Sequence, residues 1–539
     1  MEAWDILVIG DGPAALRSAA VSAKNGAKTL LISASALGNG GTVALEGLAA
    51  PIQEMNNRGH REDTIKSGYF LCDQDIVTEK TNMAIAEMNH LEKAGVVFSR
   101  DAKGLPMTKK GIGHSSPRIV DAGDASVRDV QQVLEEQCMK YGVVRRGDQL
   151  PVMLVSTKQK VDGVITLDMV NGRFVAIQTK AVIVADGGFE GIFNGTGIGF
   201  GMDLALQSGI PLRDMEFISK TPFGVTNSKL VLSSNMLGYG ANLCDTSGNT
   251  ITAENLVQLC DATAQSSGAV IDGRDMGDDK VWWQSAFRTV KSSTGVDMNK
   301  YTVGLENRVN QTLGGIATDE CGRAVIGSWS RWFTGLYAAG DAACSGLNGA
   351  GALPGNRLLD ALSGGSSSGS HASEWVKGQS FSNTENLLSS LESCEANFSA
   401  KFSEEATDTV QRVGALDTKL LSIGAKFTSS PNSSDELSGL LQELEQAEMS
   451  AEAIHLDQQS LIANTNYAGL MRIQAGIRLL TASIRASLAR NESRGVHQRS
   501  DFLEENPELI HHITVDNDAN VGTLAVRKGQ KDNWILTPQ

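Results

Sequence analysis

The sequence predicts an α/β fold that carries an inserted α+β segment and ends in a helical domain. Residues 4–33 alternate an apolar run, a glycine turn, an alanine-rich helical stretch and a second apolar run, which is the βαβ pattern. Strand patterns recur at 152–185 and at 315–339, on either side of a less regular stretch that we interpret as an insertion. From 383 to 495 the apolar residues fall at helical spacing, which indicates a helical bundle.

Composition and charge exclude several classes of protein. The chain has 539 residues, of which 41% are hydrophobic and 20% charged, as in ordinary soluble globular proteins. Lys and Arg number 47 against 62 Asp and Glu, so the net charge is 47 − 62 = −15. No basic run interrupts this balance, which argues against a nucleic acid partner.

Cysteine and histidine spacing argues against a metal centre. The seven cysteines stand singly, without the C-x-x-C pairs that hold zinc or an iron–sulfur cluster, and no H-x-x-x-H occurs. We therefore expect no metal in this chain, and any electron chemistry requires an organic cofactor. The N-terminus has no basic leader and no apolar stretch approaches the roughly 20 residues of a membrane span, so we expect a cytoplasmic protein without a direct span.

A dinucleotide motif opens the chain. Gly10-Asp11-Gly12-Pro13-Ala14-Ala15 fits G-x-G-x-x-G/A after a strand and at the start of a helix. Gly10 permits the tight turn, Gly12 lets backbone approach a pyrophosphate, and Ala15 is small enough for close helix–strand packing. The ribose carboxylate expected about 20 residues on is missing, and Ser33 ends the second strand instead. These features predict a Rossmann-like domain.

A second motif favours FAD over a nicotinamide cofactor. Residues 334–341 form a strand that ends in Gly340 and Asp341, and in flavoproteins such an acid binds the ribityl chain. An ordinary buried strand is the alternative interpretation of this segment taken alone. Together with the first motif, the segment predicts FAD.

Several segments resemble the flavoprotein subunits of fumarate reductase and succinate dehydrogenase, and their relative L-aspartate oxidase. The most specific match runs from Ala489 to Phe502 and is similar to the family pattern A-R-x-E-S-R-G-x-H-x-R-x-D-F. Within it, we expect Glu492 and Arg494 to form an ion pair. Other matches cover most of the chain, among them Asp73-Gln74-Asp75, Lys180 to Ala185, Asp214-Met215-Glu216-Phe217 and Gly314-Gly315-Ile316.

The resemblance implies an FAD-binding domain, a capping domain inserted into it and a C-terminal helical domain. With the segmentation above, it predicts an FAD-binding domain at 1–225 that is interrupted by the capping domain at 226–312 and resumes at 313–375. A helical bundle at 376–500 and a tail at 501–539 follow. The serine- and glycine-rich run from Leu362 to Ser370 suits either a flexible linker or a tightly packed helix.

The cofactor positions follow from the same motifs and matches. The residues expected to contact FAD are Gly10, Gly12, Ala15, Ser33, Gly41, Thr42, Gly47, Ala185, Gly187, Asp341, Asn356, Arg357 and Leu358. In covalent members of the family a histidine within S-H-T-V-A bonds the flavin. The counterpart here is Gly40-Gly41-Thr42-Val43-Ala44, so we expect non-covalent FAD.

The substrate positions depart from the family. Where the family has two histidines and a substrate arginine, this chain has Thr221, Asn310 and Ala352, and the capping-domain arginine falls on Leu259. The family's proton path, S-E-x-x-R-G-E-G, aligns with residues 233–240, which lack its acids and its arginine.

Two cations stand near these replaced positions. Arg357 contacts either the substrate or the flavin pyrimidine edge, and we favour the flavin. Lys220 is interpreted as a solvated surface lysine. The candidate catalytic residues are therefore Arg357, Thr221 and Asn310.

The sequence predicts an FAD-dependent oxidoreductase that moves a hydride between flavin and a small substrate less anionic than succinate. A second hypothesis is an FAD-bearing structural or electron-transfer subunit of a larger complex. A third is retained fumarate and succinate chemistry through Arg357 and Lys220. An iron–sulfur protein is the expected macromolecular partner and would place the chain at the membrane periphery.

Overall fold

The computed structural model describes residues 1–52, 57–327, 331–403, 412–429, 431–454, 456 and 458–538. Among these residues, no helix combines the length and the apolar character that crossing a membrane requires. The predicted α/β architecture with an insertion and a helical C-terminal part is confirmed.

The first part of the chain builds most of a central sheet and its covering helices. Its elements are β1 (Glu2–Ile9), α1 (Pro13–Lys24), β2 (Thr29–Ile32), β3 (Leu48–Ala49), α2 (Arg58–Ser67), α3 (Gln74–Ala94), β4 (Ile119–Val120), α4 (Ser126–Lys140), β5 (Val144–Arg146), β6 (Gln149–Thr157), β7 (Lys160–Asp168), β8 (Arg173–Val184), α5 (Phe200–Gln207) and β9 (Leu212–Arg213).

The inserted cap domain follows. It contains β10 (Ile218–Val225), β11 (Asn242–Asp245), α6 (Leu256–Gln265), β12 (Ala269–Asp272), α7 (Gln284–Thr294) and β13 (Val303–Thr312). These strands form an antiparallel sheet in the order β10-β13-β12-β11. The cap sheet thus begins within β10, before the predicted boundary at 226.

The chain then returns to the first domain, continues through the helical domain and ends with two further strands. These elements are β14 (Gly315–Ala317), β15 (Arg323–Ile326), β16 (Arg331–Ala338), β17 (Ala343–Cys344), α8 (Asn356–Trp375), α9 (Glu385–Ser403), α10 (Val413–Ser429), α11 (Ser434–Glu452), α12 (Thr465–Ala489), β18 (His511–Val515) and β19 (Val521–Ala525).

The central sheet places the dinucleotide motif. Strand β1 pairs in parallel with β2 and β8, and β16 pairs in parallel with β8. The segment Ile6–Ile9 is buried along its whole length, as expected for a strand that is covered on both faces. Helices α1 and α8 lie on the sheet and contact each other closely.

The serine- and glycine-rich run lies inside helix α8, so the packed-helix alternative is correct. A Cβ on Gly365 would lie 2.6 Å from the carbonyl oxygen of Ala14, and a Cβ on Gly369 would lie 2.5 Å from that of Ser18. Small residues on α8 therefore let it pack directly on α1.

The predicted tail is partly built into a sheet. Strand β18 pairs with β9 and with β19, so the chain from 511 to 525 extends the sheet β17-β14-β9-β18-β19. His512 on β18 is fully buried and lies between two carboxylates: its Nδ1 is 2.7 Å from Asp214 Oδ2 and its Nε2 is 3.2 Å from Asp73 Oδ1.

Arg213 completes this buried charge cluster. Its Nη1 donates to Asp73 Oδ2 at 3.1 Å, and its Nε lies 3.1 Å from the sulfur of Cys344. Burial alone lowers the pKa of His512, but the carboxylates of Asp214 and Asp73 raise it overall. The two carboxylates therefore favour the protonated form of His512, which joins the tail to the first domain.

A second buried cluster anchors the end of α12. Arg490 Nε donates to Glu216 Oε1 at 2.7 Å, and Arg494 Nη2 donates to Glu492 Oε2 at 2.8 Å. The predicted ion pair between Glu492 and Arg494 is confirmed. Arg494 also donates to the carbonyl oxygen of Tyr69 at 3.2 Å, so the pair joins the helical domain to the first domain.

We predict that His512→Ala lowers the free energy of unfolding by about 3–5 kcal/mol, because it leaves two buried carboxylates with one cationic partner fewer. The raised pKa of His512 makes this contribution complete below about pH 6.5, the unfolded value, and lost as the pH rises through the folded pKa. The difference between wild type and variant should therefore shrink at alkaline pH. Urea unfolding of both proteins at a series of pH values measures this difference in the free energy of unfolding, with His511→Ala as the control. A pH-independent difference would contradict the charged state of His512.

Candidate active site

The N-terminus of α1 offers an anion site. Gly12 is the N-cap residue, no side chain caps the helix, and its first turn holds no acidic residue. Gly10 has φ +124°, and a Cβ there would lie 2.2 Å from the carbonyl oxygen of Ala185. Only glycine fits this turn, and the free N–H groups of the helix can hold a pyrophosphate. Ala15 is fully buried.

The loop after β2 packs directly against this turn. Asp11 Oδ2 accepts hydrogen bonds from the backbone N–H of Gly38 at 3.0 Å and of Asn39 at 3.4 Å. A Cβ on Gly40 would lie 2.5 Å from the Cα of Gly12. Burial raises the pKa of Asp11. The side chain therefore positions the loop, and glycine is needed on both sides of the contact.

A buried acid at the end of β8 escaped the sequence prediction. Asp186 stands between the predicted residues Ala185 and Gly187, and its Oδ2 accepts from the backbone N–H of Gly201 at 2.8 Å. Its Oδ1 is buried and has no hydrogen-bond partner among the described residues. Burial raises its pKa to about 6. Ser33, at the end of β2, is buried, and its hydroxyl accepts from Ser35 N at 3.3 Å.

Gly41 lies in a short 3-10 helix, Gly41–Ala44, that packs on α4. A Cβ on Gly41 would lie 2.6 Å from the carbonyl oxygen of Val127, so the backbone excludes a larger side chain here. Thr42 is exposed and lines the large cleft described below. Gly47 has φ +65°, and a Cβ there would lie 2.5 Å from the carbonyl oxygen of Val120.

Arg357 is bound on three sides. Its Nε donates to Asp341 Oδ2 at 2.6 Å, its Nη1 to the carbonyl oxygen of Asn310 at 3.0 Å, and its Nη2 to Glu190 Oε1 at 3.1 Å. Asp341 Oδ1 also accepts from Gln311 Nε2 at 2.8 Å. We call Arg357, Asp341 and Glu190 the arginine cluster. It joins α8, the strand–turn of the second motif, the loop after β8 and the end of the cap strand β13.

The arginine cluster carries one more negative than positive charge when both acids are ionised. Burial raises the pKa of Glu190, and the neighbouring Arg357 opposes that rise. Glu46, whose pKa burial also raises, adds to the negative charge near Arg357. Glu190 was not predicted, because nothing in its local sequence marks it.

A cleft of about 1310 Å³ lies between the first domain, the cap and the helical domain. Arg357, Asn310 and Glu190 line it together with Thr42 and Lys220. The structure thus brings two of the three predicted catalytic residues together. Thr221 is buried in β10 and lies outside the lining.

Asn356 and Leu358 have their side chains in the interior. Asn356 Nδ2 donates to Thr64 Oγ1 at 3.0 Å, and its Oδ1 lies 2.7 Å from His60 Nε2. Leu358 belongs to the core between the sheet and α1. Both residues fix the start of α8, and with it the position of Arg357.

Lys220 is not the solvated surface lysine that the sequence predicted. It is half-buried, its Nζ donates to the carbonyl oxygen of Thr428 on α10, and burial lowers its pKa. Leu259 is buried in the core of the cap. Helix α6 lines the space under the cap with Leu256, Val257 and Cys260, and its sequence contains no lysine or arginine.

The counterpart of the proton path contacts two carboxylates, the half-buried Glu46 and the buried Asp121. Glu46 accepts from Ser233 Oγ at 3.3 Å and from the backbone N–H of Ser234 at 3.1 Å. Tyr239 donates to Asp121 Oδ1 at 2.6 Å. These hydrogen bonds join the cap to the first domain through residues 233–240, which themselves lack the acids of the family's proton path.

Two family models match the chain. The model described as FAD binding domain matches residues 5–275 and 295–358, and the model described as fumarate reductase flavoprotein C-term matches 431–535. The succinate dehydrogenase flavoprotein subunit of Rickettsia conorii is 26% identical, over 94% of this chain and 91% of that protein. The fumarate reductase flavoprotein subunit of Escherichia coli is 25% identical, over 99% and 95%.

Solved structures share the fold. A chain of Escherichia coli quinol fumarate reductase superposes with a TM-score of 0.89 at 22% identity, over 100% of this chain and 99% of that one. Adenylylsulfate reductase of Archaeoglobus fulgidus reaches 0.77 at 14% identity, over 99% and 97%.

The matches define an FAD-dependent oxidoreductase, and the glycine turn, the uncapped helix α1 and Asp341 fit FAD as its cofactor. Within that class, the chain belongs to the flavoprotein family of fumarate reductase and succinate dehydrogenase.

We predict that the flavin is released when the purified holoprotein is precipitated with acid, because glycine at position 41 has no atom that could bond the ring. Flavin absorbance in the supernatant measures the release, with free FAD taken through the same procedure as the control. A yellow pellet would contradict the prediction.

Proposed function

We propose that this oxidoreductase moves a hydride between FAD and a small substrate that is less anionic than succinate or fumarate. The observation that carries the proposal is the charge of the cleft. Thr221, Asn310 and Ala352 are neutral where the resemblance expects cations, and helix α6 supplies none.

The two nearby cations do not compensate for this loss. Arg357 already donates to two carboxylates and a carbonyl oxygen, and its cluster is net negative when both acids are ionised. Lys220 is a single cation that already donates to a backbone carbonyl oxygen, so it can pair at most one carboxylate. Each carboxylate of a dicarboxylate costs several kcal/mol to desolvate unless it is paired. A dicarboxylate is therefore poorly matched to this cleft.

The arginine cluster supports a role at the flavin rather than at the substrate. Asp341 stands where the second motif predicts the ribityl contact, and Arg357 is bound directly to it. When bound, FAD supplies the acceptor or donor of the hydride. The two carboxylates offset the charge of the guanidinium, so the cluster positions Arg357 beside the cofactor without adding net positive charge there.

The chain's own groups supply proton transfer and exclusion of water. In the oxidising direction, one substrate carbon gives up a hydride and its neighbour a proton, and the reducing direction is the reverse. Glu190 lines the cleft and has a raised pKa; since its Oε1 accepts from Arg357 and from Thr312 N, Oε2 is the atom that would hold the proton. The cap forms one wall of the cleft and so shields part of it from water.

We further propose that electrons pass to or from an iron–sulfur protein partner, which would place the chain at the membrane periphery. Its relatives include proteins described as flavoprotein subunits. In the part of the chain that the structure describes, no group of His, Cys, Asp or Glu is arranged to hold a metal. The clusters would therefore belong to another chain.

We predict that the FAD-loaded protein turns over succinate and fumarate at less than about 0.1 s⁻¹ in dye-linked assays, below the ordinary enzyme range of about 1–10³ s⁻¹. The same assays should detect turnover in a panel of neutral and singly charged compounds, because these lack the second carboxylate. Flavin bleaching provides an independent measurement.

The variants distinguish the hypotheses. Turnover of fumarate at ordinary rates that is lost in Arg357→Ala and kept in Arg308→Ala would establish retained dicarboxylate chemistry. Arg308 also lines the cleft, but it pairs with Glu306. A flavin that no compound in either panel reduces or reoxidises would favour the structural subunit.

A further inference from the structure

A second, smaller cavity adjoins the large cleft. It measures about 80 Å³ and lies under the cap helix α6, where the resemblance places the substrate. Ala352, which occupies the position of the family's substrate arginine, forms part of its wall. Lys220 lines both this cavity and the large cleft.

The wall of the small cavity is largely hydrocarbon. Leu256 and Val257 come from the cap, Ile218 from β10, and Val496 from the segment after α12. Ala352 and Val496 also pack against the buried cluster of Leu71, Phe217, Leu313 and Ala350. Polar residues also line the cavity, namely Ser67, Tyr69, Ser219, Asn255 and Gln498. Its surface is nevertheless mainly apolar, so an apolar group placed here gains by burial.

The volume limits the size of that group. Apolar protein cavities of about 150 Å³ hold benzene. A cavity of about 80 Å³ is roughly half that size, so it fits an alkyl group of about three or four carbons.

Lys220 supplies a charge beside this wall. Its ammonium group has three N–H donors, and the bond to Thr428 uses one of them. Asp261, which also lines the cavity, lies on the exposed side of α6 and favours the charged form of Lys220. One carboxylate can therefore be paired here, but not two.

We propose that the substrate carries one carboxylate and an alkyl group of three or four carbons, with the alkyl group in the small cavity and the carboxylate at Lys220. This proposal rests on the proposed function, since it names the substrate class of the same site. The bond that is oxidised or reduced lies between these two groups, at the mouth of the large cleft.

Calorimetric titration of the oxidised holoprotein tests the subsite without turnover. The probes are acetate, butyrate, pentanoate and hexanoate, with succinate for comparison. We expect affinity to rise about three- to fourfold for each added methylene through hexanoate, whose three terminal carbons lie beyond the reacting bond and are buried in the cavity. Succinate should bind more weakly than pentanoate. Equal affinity along the series, or tighter binding of succinate, would overturn the proposal.

Two variants distinguish the contribution of the apolar cavity wall to binding from that of the Lys220 amine. Val257→Phe should abolish the gain with chain length and leave acetate binding unchanged, whereas Val281→Phe, at an exposed position of the cap, should change neither. Lys220→Met should weaken every monocarboxylate by a similar factor. Flavin content and thermal melting identify a variant that fails to fold, and in that case the chain-length series on wild type decides alone.

The outcomes also separate this proposal from the proposed function. The corresponding 2-enoic acids are offered to dithionite-reduced holoprotein after excess reductant is removed, and flavin reoxidation is recorded. If the binding series rises with chain length but no compound in any panel exchanges electrons with the flavin, the subsite stands and the proposed function fails. If the flavin reacts with these compounds but binding ignores chain length, the subsite fails and the proposed function stands.

Discussion

The guanidinium of Arg357 is the interaction on which the geometry of the cleft depends. It binds a carboxylate of the second cofactor motif, a carboxylate of the loop after β8 and a backbone carbonyl oxygen at the end of the cap strand β13. These three partners come from segments that lie far apart in the sequence. A half-buried arginine with this many hydrogen bonds offsets its own desolvation and fixes the relative position of its partners. The cap is thereby attached next to the cofactor site.

The pairing of Arg357 within the protein also explains how the cofactor positions can match the family while the substrate positions depart from it. The cofactor motifs of this chain depend on backbone turns and helix ends, which glycine and alanine preserve at low cost. Recognition of a dicarboxylate depends on cations, and at the replaced positions the cations are absent or already paired. Arg357 is paired with Asp341 and Glu190 rather than left free for a substrate carboxylate. A flavoprotein can therefore keep its redox chemistry while its substrate pocket becomes apolar.

The parts of the fold that were predictable are those that a local pattern encodes. The βαβ unit and the turn at Gly10 follow from the period of apolar residues and from glycine spacing, and the signature from 489 to 502 identifies the family. Glu190, Asp186 and His512 were not predictable, because each acquires its role from partners far away in the chain. His512, for example, meets carboxylates 298 and 439 residues away. Burial of Lys220 likewise depends on packing between the cap and α10, which no local pattern reports.

Under the proposed function, the charge of Arg357 is used within the protein and is not available to a substrate carboxylate. Equilibrium titration of oxidised holoprotein with succinate, for wild type and for Glu190→Gln, measures whether that charge is available. Removing one of the two acids frees part of the guanidinium, so the variant should bind succinate at least about tenfold more tightly than wild type, which corresponds to about 1.4 kcal/mol. If wild type binds succinate as tightly as Glu190→Gln does, and Arg357→Ala abolishes that binding, then the charge of Arg357 is available to the substrate.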